Sequence, residues 1–86
     1  MPRISEFYGI VIYIYWQDHA PPHFHAIYGG HDASVLISSG EVHEGYLPQR
    51  ALRLVRKWAL QHTADLNENW ERAQRGEPLA LVDPLE

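Results

Sequence analysis

An α+β fold is what this sequence predicts: an antiparallel four-stranded β-meander followed by two helices, or one bent helix, packed on one face. Three observations predict it. Hydrophobicity alternates with period two as far as residue 47, then recurs at three- and four-residue steps from Pro48 onward. Short connections containing glycine or proline separate the extended segments, which suits hairpins and not crossovers. A chain of 86 residues without cysteine makes one domain, 1–86, whose core forms without disulfides. It divides into a strand half (1–47), a helical half (48–75) and a C-terminal tail (76–86) that is expected to pack back because it is too apolar to float free.

The first strand is read over Ile10 to Trp16, seven residues rich in β-branched and aromatic types. Its even positions, Ile10, Ile12, Ile14 and Trp16, are assigned to the core, and Tyr13 and Tyr15 to the opposite face. Pro21 and Pro22 lack the amide hydrogen a ladder needs and break the sheet. His23 to Tyr28 reads as the second strand, with Gly29-Gly30 as a hairpin turn. Ala33 to Ser38 makes the third strand, and Glu41 to Tyr46 a shorter, more polar fourth strand at an edge.

Pro48 suits a first helical position, where its missing donor costs nothing. Ala51, Leu54, Val55, Trp58 and Ala59 then form one helical stripe, with Arg50, Arg53 and Lys57 on the other side. Thr63 can cap a second helix, whose stripe is Leu66, Trp70 and Ala73. Gly76 and Pro78 end it. Helices on one side only leave the other sheet face open, and Tyr13 and Tyr15 are expected there as a binding surface for a partner.

Net charge is −4, against strong non-specific binding of nucleic acid by the whole molecule. The distribution is uneven. The strand half holds one cation, Arg3, against five anions, whereas the helical half holds six cations against three. The basic stripe with Arg50 and Arg53 is a solvated helix face, or a surface for nucleic acid or an acidic partner. No P-loop, dinucleotide fingerprint, nucleophile elbow or metalloprotease helix occurs, and thiolate chemistry is excluded. The longest apolar run is too short to span a bilayer, and the N-terminus lacks the apolar segment of a signal peptide, so a cytoplasmic location is expected.

Chemistry concentrates in Asp18-His19-Ala20-Pro21-Pro22-His23-Phe24-His25. On one strand, His23 and His25 share a face while Phe24 points to the other. Two imidazoles so placed can chelate one divalent ion such as zinc, with His19 or Asp18 as a third ligand. The same residues, His19, His23 and His25 with Asp18, could instead serve as catalytic acid and base. A half-buried strand with a polar outer face shows the same alternation without any ligand. A cupin is ruled out, since the chain is too short for a jelly roll.

Several segments together resemble a known family. Pro2-Arg3-Ile4-Ser5 and Phe7-Tyr8-Gly9-Ile10-Val11-Ile12 are followed by Asp18-His19 and Pro21-Pro22-His23-Phe24-His25-Ala26. Gly45-Tyr46-Leu47-Pro48, Arg50-Ala51-Leu52, Asn69-Trp70 and Gly76-Glu77-Pro78-Leu79 complete the pattern. The chain resembles the bacterial family catalogued as domain of unknown function 4160. That resemblance implies a small bacterial protein, often encoded beside another short protein in a pair resembling a toxin–antitoxin module, and it carries no catalytic residues.

Two functions are therefore expected to compete. The first is a component of such a two-protein module, binding a small partner protein encoded nearby, with nucleic acid or a second copy of the chain as further partners. The second is a small hydrolase or ribonuclease using His19, His23 and His25, with Arg50 or Arg53 steadying a phosphate if the fold brings them near.

Overall fold

The computed structural model describes residues 2–86; Met1, at which the strand half begins, lies outside them. Five strands and two helices follow in order: β1 (Arg3–Phe7), β2 (Ile10–Tyr13), β3 (His23–Tyr28), β4 (His31–Leu36), β5 (Val42–Gly45), α1 (Gln49–Gln61) and α2 (Thr63–Gln74). The strands form a single meander in chain order, with every neighbouring pair antiparallel. The sheet thus has one strand more than expected. β1 is a five-residue segment with three polar residues, Arg3, Ser5 and Glu6, too short and polar to show a clean alternation. Its turn is also disguised. Tyr8 and Gly9 both have positive φ (49° and 79°), as a two-residue type I′ hairpin requires, but tyrosine is a rare residue for that conformation.

Other boundaries move as well. β2 ends at Tyr13 and not Trp16, and the chain bends away at Gln17, whose φ is 55°. Trp16, assigned above to the core, is 50% exposed and donates its indole N–H to the Glu77 carbonyl. β4 begins two residues earlier than expected, and β5 is shorter. The helical half is two helices, broken at His62. Pro48 stands one position outside α1 as its cap. His62 takes the cap position of α2, while the Thr63 hydroxyl donates back to the Ala59 carbonyl.

The period-two faces are as the residues imply. Ile10, Ile12 and Ile14 are buried beside Phe24, Ala26, Ala33 and Val35, and the helices close over this side. Trp58 of α1 is the centrepiece. Its ring lies 5.4 Å from Phe7 and 5.7 Å from Phe24, and its N–H donates to the Asp83 carbonyl. The tail runs beside β1, with the Val82 amide bonded to the Ile4 carbonyl and Val82 and Leu85 buried. Asn69 of α2 clamps the tail from the other side, donating to the Ala80 carbonyl and accepting the Ala80 amide. No helix among the described residues is long and apolar enough to cross a membrane.

Asn69 is 1% exposed and spends both ends of its amide on one tail residue. Asn69→Ala should therefore cost about 1–3 kcal/mol, because the Ala80 backbone groups lose their partners in a buried place. Urea unfolding checks this, with Asn67→Ala on the exposed side of the same helix as the control that stays near wild type.

Candidate functional site

β3 commits both of its faces. Phe24 and Ala26 are fully buried toward the helices, so His23 and His25 lie on the opposite side of the sheet. Register then sets Tyr13 of β2 directly across from His25, and the two rings stack at 5.4 Å with 12° between their planes. Tyr15 meets His25 edge-on at 4.7 Å. Tyr13, expected on an accessible binding face, is only 1% exposed because Tyr15 and His25 enclose it; Tyr15 is the one at the surface. Burial, aided by the Tyr15 hydroxyl and the charge of Asp32, pushes the Tyr13 phenol well above its ordinary range, so it stays protonated.

The connection between β2 and β3 brings Asp18 over the histidines. Gln17 donates its amide to the Ala73 carbonyl, and Gln74 donates its side chain to the Asp18 carbonyl, so α2 fixes this connection from below. Asp18 Oδ2 lies 2.9 Å from His23 Nε2 and 3.0 Å from His25 Nε2. Asp18 Oδ1 accepts the His19 amide at 2.8 Å, and His23 Nδ1 donates to the Pro21 carbonyl at 2.7 Å. Trp70 of α2 packs against the His23 ring at 5.3 Å. One potential ligand atom from each of Asp18, His23 and His25 lies within 4.8 Å of the others, and no other such group of three occurs among the described residues.

The His23 hydrogen bonds have a chemical consequence. A carbonyl oxygen only accepts, so Nδ1 carries a proton. A neutral His23 then points the lone pair of Nε2 at a carboxylate oxygen, and two lone pairs at 2.9 Å repel. A second proton or a metal ion between them removes that repulsion.

Of the residues singled out from the sequence, Asp18, His23 and His25 come together. His19 does not join with its ring: it is exposed, and only its backbone amide serves the cluster. Arg50 and Arg53 are exposed on α1, whose buried side faces the other surface of the sheet, so neither is placed to steady charge near the histidines. Of the two residues expected as a third ligand, His19 and Asp18, it is Asp18 that proves to be the hub. The family comparison bears on this arrangement. The family model described as Domain of unknown function (DUF4160) matches residues 9–71, a span that includes the whole cluster, and the chain belongs to that family. No curated protein and no solved structure matches the chain.

Burial opposes the charge on Asp18. The hydrogen bond with His25, the His19 amide and the charges of His23 and His25 outweigh it, holding the carboxyl below its usual range. A depressed folded-state value means stability that is present above the ordinary carboxylate value of about 4 and lost as pH falls through the folded one. Wild type should therefore exceed Asp18→Asn in stability at pH 7, with the gap closing at acidic pH. Urea midpoints at pH 7, 5 and 3 in the presence of a chelator measure it; a gap that stays constant would show that the charge is not what stabilises.

Proposed function

We propose that Asp18, His23 and His25 hold a divalent metal ion of the zinc class and that the protein is a small metal-dependent hydrolase working on the open face of its sheet. The observation that carries this reading is the Nδ1–H of His23 held by the Pro21 carbonyl, which turns Nε2 toward Asp18 Oδ2 as a ligand. Metal-bound histidines are oriented by such a bond on the second nitrogen. Spacing supports it too. Ligands about 2.0–2.1 Å from a tetrahedral ion sit about 3.3 Å apart. The two Asp18–histidine separations, 2.9 and 3.0 Å, are a few tenths of an ångström shorter than that, and all three ligand atoms lie within 4.8 Å of one another. Three protein ligands leave a fourth position for water, whose pKa such an ion lowers toward neutrality to give a nucleophile.

A metal-free acid–base site fits less well, because both Nε2 atoms are turned inward to Asp18 and not outward to a substrate. A ribonuclease fits less well again, since Arg50 and Arg53 lie on the far layer. The two-protein module implied by the family resemblance would seat its partner on this same open face, because the helices pack on the other.

Calorimetry with zinc on chelator-stripped protein tests the site. Wild type should bind one ion, His23→Ala/His25→Ala should bind none, and His19→Ala should match wild type. With zinc present, His23→Gln/His25→Gln, folded by circular dichroism, should lose roughly 100-fold or more of the wild-type esterase rate on p-nitrophenyl acetate. Equal and negligible heats in wild type and the alanine variant would end the metal reading.

A further inference from the structure

β4 alternates like β3. Ala33 and Val35 enter the core, leaving Asp32 and Ser34 on the open face. Register then builds a row across four strands: Tyr13 opposite His25, His25 opposite Ser34, and Ser34 opposite Glu44. Gly45 draws β5 tightly against β4. Its φ is +84°, and a Cβ there would collide with the Asp32 carbonyl oxygen. A cavity of about 290 Å³ opens over this row, lined by Tyr15, His25, Asp32, Ser34 and Glu44.

Two independent features mark it as a ligand site. Ser34 is only 5% exposed, yet its hydroxyl has no hydrogen-bond partner. Such a buried group is normally satisfied; Ser34 lines the cavity, and a ligand there would satisfy its hydroxyl once the side chain turns toward it. Asp32 and Glu44 also stand without a cation. Asp32 accepts the Tyr13 hydroxyl, but neither carboxylate forms an ion pair among the described residues. The only Lys or Arg of the strand half, Arg3, is paired with Glu6. Asp32 and Glu44 do not converge with a third ligand as Asp18 and the histidines do, so a compact metal ion is not what they suit.

We infer that this cavity binds an organic cation with several N–H donors, a guanidinium or alkylammonium group. Asp32 and Glu44 accept its N–H bonds, Ser34 supplies a further acceptor, and the Tyr15 ring packs on the cation or its alkyl stem. An anionic substrate meets two carboxylates here and no counter-charge. The inference adds a substrate class to the hydrolase reading, but it stands on different residues and survives without the metal.

The test uses the full chain, treated with chelator so that the result is independent of zinc. Titration with n-butylguanidinium, followed by amide chemical shifts, should give saturable changes centred on Ser34, Glu44 and Gly45. Butanol and butyrate at the same concentrations should give none. Asp32→Asn/Glu44→Gln alters two exposed side chains and should keep the wild-type spectrum elsewhere while weakening binding about tenfold or more. Absence of saturable shifts, equal shifts with butanol or butyrate, or unchanged affinity in the double variant would each overturn the inference.

Discussion

Phe24 stands between His23 and His25 in the chain and on the other side of β3 from both, its ring 5.7 Å from Trp58. Because strand side chains alternate with period two, this contact sets more than its own position. A slip of one residue would expose Phe24 and Ala26 and drive both imidazoles into the core. The loss would be about 1.5–3 kcal/mol for the phenylalanine alone, with the cost of burying unpartnered polar rings added to it. Fixing β3 in this way also fixes its neighbours. Tyr13 on one side and Ser34 on the other are carried to His25 by the ladder, so the polar face follows from the packing of the apolar one.

α2 reaches the rim of the polar face, where Trp70 packs on the His23 ring. α2 holds the β2–β3 connection by backbone and side-chain bonds at Ala73 and Gln74, and the Trp16 indole bonds to Glu77 just beyond it. The tail closes the opposite end through Asn69, Trp58 and Ile4. In a chain this small the core has little margin, and Val82 and Leu85 extend it over ground the helices leave uncovered. Asp18 is thus positioned by the same element whose inner side packs the core. The site's precision depends on α2 staying docked.

Strong periodicity made most of this legible in the sequence. Ile10, Ile12 and Ile14 against Tyr13, and His23 and His25 against Phe24, could be placed on faces because side-chain direction along a strand is set by local geometry. The helical stripes that contain Trp58 and Trp70 were legible because side-chain direction along a helix is set locally too. β1 was not, because a short strand containing Arg3, Ser5 and Glu6 draws its stability from pairing and from the tail laid beside it. Trp16 misled because period two was carried past the point where the chain turns. The meeting of Asp18 with both histidines depends on the path of an irregular connection, which residue spacing does not encode. The isolation of Arg50 and Arg53 is a fact of layers: their helix covers the aliphatic face of the sheet, and the histidines lie on the other.

The uneven charge along the chain becomes, in three dimensions, a difference between layers. Three of the six cations of the helical half are spent locally: Arg72 on Glu68, Arg75 on Glu77, and Arg56 on the Gly40 carbonyl. Exposed pairs of this kind add little stability. The open face carries Asp18, Asp32 and Glu44 with no Lys or Arg paired to any of them among the described residues. Like charges gathered on one surface work against the compact state unless something else is gained. Here these carboxylates flank stacked rings, a buried hydroxyl without a partner and an imidazole pair already turned toward one oxygen. A face built this way gains from positive charge, and the two kinds proposed for it, an ion at Asp18 and an organic cation at Asp32 and Glu44, would each relieve a different part of the same repulsion.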